Sequence, residues 1–155
     1  MKIMKLLWIF LAGIVAFTAC KKDDDTAAKQ AEKDEQIIVD YLAANSIDAQ
    51  RHESGLYYLI TVEGSGVQPT LNSTVEVFYK GYLTNGSIFD QTTQGPRTFP
   101  LRNLIEGWKI GIPLMKKGGS ATFFLPSALG YGTQGSGSVP RNAVLIFEID
   151  LVSVL

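Results

Sequence analysis

The sequence holds one cysteine and one histidine in 155 residues, and these two scarcities exclude whole classes of chemistry. A lone cysteine, Cys20, can close no internal disulfide, so the fold must rest on its core. A lone histidine, His52, lies in the polar run Gln50-Arg51-His52-Glu53-Ser54 with no Cys, His or carboxylate cluster around it. An exposed loop residue is expected there, and no metal centre. With His52 outside the sheet-forming part of the chain, a Ser-His-Asp arrangement has no candidate. Basic residues nowhere run together with interleaved aromatics, so no nucleic-acid surface is expected. The longest apolar run, Leu6 to Phe17, is about 12 residues, short of the roughly 20 that span a bilayer. Gly130-Tyr131-Gly132 is followed by neither a helix nor a phosphate-binding lysine, which argues against a nucleotide loop. No internal repeat is present.

What is there divides into three parts. Lys2 and Lys5 precede the apolar run, and small residues lead to Phe17-Thr18-Ala19-Cys20. A basic start, a short apolar core and a small-residue cleavage region make residues 1–19 a secretory signal. The motif at its end resembles the lipobox of bacterial lipoproteins, with Phe17 in place of the usual aliphatic residue. That resemblance makes Cys20 the lipidated first residue of the mature chain, held to the membrane by acyl chains worth about 0.8 kcal/mol per buried methylene. The expected location is the cell envelope, lipid-anchored, at the outer membrane on its periplasmic or surface face. Lys21-Lys22-Asp23-Asp24-Asp25 reads as a solvated spacer, and it also looks like the signals that send some Gram-negative lipoproteins to the surface. Taking Lys2 and Lys5 from the 14 basic residues leaves 12 against 15 acidic ones, a formal charge of −3 that points to no polyanionic partner.

Residues 20–54 then form the spacer and a helical tether. Ala, Lys, Glu and Gln dominate Thr26 to Asn45. Ile37, Ile38, Tyr41 and Leu42 recur at spacings of three and four, which predicts a helix from Ala28 to Ala44 closed near Asn45. Its apolar stripe can pack on the domain or on a second copy. From residue 55 to 155 the signals are strands and turns. Leu56–Val62, Thr74–Leu83, Gly119–Leu125 and Ala143–Leu155 read as strands, and Asn85-Gly86 marks a hairpin whose return arm includes Ile88-Phe89-Asp90. In the last strand Leu145, Phe147, Ile149 and Leu151 share a uniformly apolar side that must face the core. One short helix, expected from Leu104 to Met115 with Pro113 distorting its last turn, sits among these strands. The order is α+β. Trp108, at the start of that helix, is either a core residue or the floor of an apolar pocket.

The motifs Val77-Phe78-Tyr79-Lys80-Gly81-Tyr82-Leu83, Gly86-Ser87-Ile88-Phe89-Asp90, Phe99-Pro100-Leu101, Ile105-Glu106-Gly107-Trp108, Gly130-Tyr131-Gly132 and Val139 to Glu148 together resemble the FKBP-type peptidyl-prolyl isomerases, in the family's order and spacing. The resemblance implies a curved antiparallel sheet of five or six strands wrapped around one short helix. It implies Xaa-Pro isomerisation, with proline-containing polypeptides as partners, macrolide inhibitors as candidate ligands, and neither cofactor nor metal. Its pocket would be lined by Tyr79, Phe89, Asp90, Leu104, Ile105, Trp108, Tyr131, Val139 and Phe147. Trp108 would carry the proline ring. The Ile105 amide and the Tyr131 hydroxyl would donate to bound carbonyls, and Asp90, sharing a hydrogen bond with Tyr79, would face the twisting amide. Departures stand out in two loops. Arg97 replaces an aromatic or aliphatic pocket residue, and the basic residue usually found just beyond Asp90 is missing, so Arg97 is expected to pair with Asp90. Ser136-Gly137-Ser138 replaces bulkier residues before Val139, which opens the rim. The rival readings are a proline-binding module or chaperone with little turnover, and a surface adhesin borrowing the fold.

Overall fold

The computed structural model describes residues 20–155, with side chains from Asp25 onward. The expected signal segment, residues 1–19, and the Cys20 side chain lie outside the described residues. Helix α1 runs Cys20–Ala44, eight residues earlier than expected, since no Gly or Pro interrupts the run. Its end is a Schellman motif. Ser46 takes a left-handed φ of 55°, its amide donates to Ala43 O at 3.2 Å, and the Ile47 amide donates to Leu42 O at 2.9 Å. Asn45 assists by donating its side-chain amide to Tyr41 O. Among the described residues no helix is long and apolar enough to cross a membrane.

The strands are β1 (Gln50–Arg51), β2 (Tyr57–Val62), β3 (Thr74–Leu83), β4 (Ile88–Gln91), β5 (Arg97–Pro100), β6 (Ser120–Leu125) and β7 (Leu145–Val154). They form one antiparallel sheet in the order β1-β2-β6-β7-β3-β4, and β5 shares the β4 edge by pairing with the first half of β3. The count is seven rather than five or six because the two-residue β1 joins the sheet ahead of Gly55. His52 follows it. It is half-buried rather than exposed, because its Nδ1 accepts the Ser54 amide at 3.2 Å.

Two apolar clusters lie on the two faces. Leu145, Phe147, Ile149 and Leu151 join Leu56, Val75, Val77, Leu101, Trp108 and Phe123 on the inner face, as alternation along β7 requires. On the outer face Tyr57, Phe124, Val144 and Ile146 lie under Ile38 and Leu42 of α1. The α1 stripe therefore packs on its own domain. Asp34, only 1% exposed, accepts from the Ser127 amide at 2.8 Å and its hydroxyl at 2.6 Å, fixing the helix to a 3₁₀ turn at Ser127–Leu129.

The inner helix is shorter than expected. Leu104 and Ile105 are extended, α2 spans only Glu106–Gly111, and 3₁₀ turns at Leu101–Asn103 and Ile112–Leu114 flank it. Pro113 holds the second turn. Gly107 and Gly111, one turn apart, face β6, where a methyl group would overlap Leu125 or the Phe123 ring. This close approach seats α2 in the concavity of the sheet, with Trp108 against it.

Candidate active site

Trp108 is 4% exposed and meets three aromatic rings edge-on: Tyr79 at 5.2 Å, Phe147 at 5.3 Å and Phe99 at 6.1 Å between centroids. Such T-shaped contacts are each worth about 0.5–1.5 kcal/mol beyond burial, so the indole is held firmly. Over it opens a cavity of about 310 Å³ lined by Tyr79, Asp90, Arg97, Phe99, Leu104, Ile105, Trp108, Tyr131 and Phe147. Each wall follows from local structure. The β3–β4 hairpin turns through Gly86 at φ 85°, with Gly86 N–H donating to Leu83 O and Leu83 N–H to Ser87 O. Only the glycine is left-handed, so this is a three-residue turn with a glycine bulge rather than the two-residue Asn-Gly turn. It sets Asp90 opposite Gly81. Gly81 in turn leaves room for Phe89 and Phe147 to pack edge-on at 5.4 Å.

Two expected lining residues stand back from the cavity. Phe89 packs against Phe147, and Val139, 6% exposed, belongs to the inner core. Both support the wall instead of forming it. Phe99, noted in the sequence only within the motif Phe99-Pro100-Leu101, lines the cavity beside Arg97 because β5 has a period of two and both point the same way.

The polar groups form a relay. The Tyr79 hydroxyl donates to Asp90 Oδ2 at 2.6 Å, and Arg97 Nη1 donates to the Tyr79 oxygen at 2.8 Å while lying 3.8 Å from Asp90 Oδ1. Arg97 thus reaches Asp90 mainly through the tyrosine. Burial first, and the bond to Asp90 second, push the Tyr79 pKa up to about 12 against the opposing pull of Arg97, so the phenol keeps its proton at neutral pH. Thr92 holds the Tyr79 backbone, taking its N–H at Oγ1 and giving its own N–H to the Tyr79 carbonyl. Burial also raises the Tyr131 pKa, with the Asp90 charge adding to it.

Some donors here have no acceptor. The Trp108 Nε1–H is buried without a partner. Neither the Tyr131 hydroxyl nor the Ile105 amide, ahead of the first turn of α2, makes a hydrogen bond within the described chain. An apolar floor, unpartnered donors at its rim and a carboxylate held by a protonated phenol suit a small apolar ring flanked by carbonyls. No thiol, hydroxyl–imidazole pair or metal-ligand cluster lies among the described lining residues.

The sequence profile described as "FKBP-type peptidyl-prolyl cis-trans isomerase" matches residues 66–152, more than half of the chain. The chain belongs to the FKBP-type family. It is 40% identical to "FKBP-type peptidyl-prolyl cis-trans isomerase FkpA" of Aeromonas hydrophila, over 99% of this chain and 57% of that protein. Its fold superposes on the crystal structure of FkpA from Escherichia coli with a TM-score of 0.70 and 34% identity, covering 86% of this chain and 61% of that one. A peptidyl-prolyl isomerase structure from Pseudomonas syringae gives the same TM-score at 32% identity, over 81% and 94% of the two chains. The chain spans about half to two-thirds of the curated relatives it matches, 57%, 50% and 64% of the first three. Within the FKBP frame, Trp108 is both of the things it could be: part of the inner core and the floor of the cavity.

Proposed function

We propose that this FKBP domain accelerates rotation about Xaa-Pro bonds in exported polypeptides, from a lipid anchor at Cys20 in the cell envelope. One observation carries the reading: an indole floor fixed by three aromatic rings, with the unpartnered Ile105 amide and Tyr131 hydroxyl at its rim. Peptide-bond rotation costs about 18–20 kcal/mol because amide resonance is lost, and Xaa-Pro bonds turn over unaided in tens to hundreds of seconds. A twisted amide separates less charge than a planar one, so an apolar cavity favours it relative to water. Trp108 holds the proline ring, Ile105 N–H and Tyr131 O–H anchor the carbonyls on either side, and Asp90 faces the amide as it twists. Holding one side still while the other rotates supplies orientation. A thousandfold acceleration needs only about 4 kcal/mol of selective stabilisation. The macrolides of the family are candidate occupants of the same cavity.

The test is a protease-coupled or NMR isomerisation assay on a proline peptide. Trp108→Leu and Asp90→Val should each lower kcat/KM by about thirtyfold, equivalent to about 2 kcal/mol of transition-state stabilisation. Full turnover in both variants would overturn the site, and tight peptide binding without turnover would make the protein a proline-binding module. Labelling with a fatty-acid analogue tests the anchor, and Cys20→Ala should abolish incorporation.

A further inference from the structure

Arg97 is fastened at one corner only. Its Nη1 is engaged by Tyr79, its guanidinium carbon lies 5.8 Å from the centroid of the Phe99 ring, and its side chain is 55% exposed. Nε and Nη2 have no hydrogen-bond partner in the described chain. Those two nitrogens form the edge of a guanidinium that matches both oxygens of a carboxylate. Arg51, elsewhere in the molecule, uses that same edge on Glu35, with Nε and Nη2 at 2.9 and 3.3 Å from its two oxygens. In Arg97 it is unused, beside a cavity whose only charged lining residues, among the described residues, are Asp90 and Arg97 itself.

We propose that Arg97 is a specificity-determining residue that selects an acidic side chain immediately before the proline. The position rests on the reading of Asp90 as facing the Xaa-Pro amide, since a guanidinium within 3.8 Å of Asp90 then stands on the Xaa side. Nη1 is the corner nearest Asp90, so a carboxylate taken by the Nε–Nη2 edge sits on the far side of the cation. Attraction to the guanidinium therefore outweighs repulsion by Asp90. A lysine in the same place meets the positive group directly.

The experiment compares kcat/KM of the full chain for three peptides differing only in Glu, Gln or Lys before the proline. Glu should exceed Lys by about fivefold at low salt, the range of an exposed ion pair. The gap should close at about 0.5 M salt, where screening reaches within a few ångströms. Arg97→Leu should remove the gap, Arg97→Lys should keep part of it, and Arg97→Glu should reverse it, with circular dichroism confirming that each variant folds. An equal Glu-to-Lys ratio in the native protein and Arg97→Leu overturns the assignment, while turnover of the Gln peptide leaves the isomerase reading standing. No turnover of any peptide by the native protein overturns both.

Discussion

Among the described residues the same three residue types, tyrosine, carboxylate and arginine, are joined together twice, once on each side of the sheet. On the outer side Tyr57 donates to Glu35 at 2.5 Å, and Arg51 grips both Glu35 oxygens. That set closes on itself, tying α1 to β1 and β2. On the inner side Tyr79 donates to Asp90, but Arg97 is bonded to the tyrosine and stands 3.8 Å from the carboxylate. The inner set is left open. Where the carboxylate and the Nε–Nη2 edge of the guanidinium are matched, charge serves attachment. Where an edge of a guanidinium and the lone pairs of a carboxylate stay unmatched beside a cavity, the same groups are available to a ligand.

Breaking the outer region should cost stability and spare turnover. Ile38 is the fully buried contact of α1 with the sheet, and Ile38→Ala should cost about 2–4 kcal/mol, read by chemical denaturation, with kcat/KM on a proline peptide unchanged. A fall in turnover at temperatures where the variant is folded would join the two regions. Removing one hydroxyl sharpens the contrast. Tyr57→Phe should cost about 1 kcal/mol, or about 2–4 °C in Tm, whereas Tyr79→Phe should lower turnover several-fold, about 1 kcal/mol of transition-state stabilisation. Equal behaviour of the two variants in both assays would erase the distinction.

The smallest effect is the response to acid. Hydrogen bonding by Arg51, more than by Tyr57, holds the Glu35 pKa below the ordinary glutamate value despite some burial. A depressed folded pKa gives stability that is complete above the unfolded value and is lost as pH falls through the folded one. The Tm advantage of the native protein over Glu35→Gln should therefore shrink below about pH 4. A gap unchanged down to about pH 3 would contradict the assignment of that stability to the ionised Glu35.

How much of this could be read in advance depended on whether the signal was local. The inner face of β7 was legible because Leu145, Phe147, Ile149 and Leu151 alternate without exception. The end of α1 was legible from Asn45 to within a residue, although the left-handed position fell on Ser46. Leu104 and Ile105 misled because an apolar pair one turn ahead of Trp108 looks helical, whereas the close packing of Gly107 and Gly111 on β6 sets where the helix lies. Arg97 was conspicuous as a substitution, and its pairing with Asp90 was expected. Its bond to the Tyr79 oxygen was hidden, because the pairing of Arg97 with Val77 across β3 and β5 decides its reach. Asp34 gave no hint at all. It is one acid among many in a charged run, and its partner Ser127 is 93 residues away.

The Ser127 carbonyl accepts the amides of Gly130 and Gly132, on either side of Tyr131, while its own amide and hydroxyl are held by Asp34. This bears on how the protein is to be handled at the bench. A fragment begun at Gly55, where the strand signals start, would bare Tyr57, Phe124, Val144 and Ile146 together and strip Ser127 of its acceptor. Its β2 edge would lose β1 as well. Exposed apolar patches and open strand edges are what make fragments precipitate. For soluble material with Tyr131 in its native setting, the cut belongs at the very start of α1, just after Cys20.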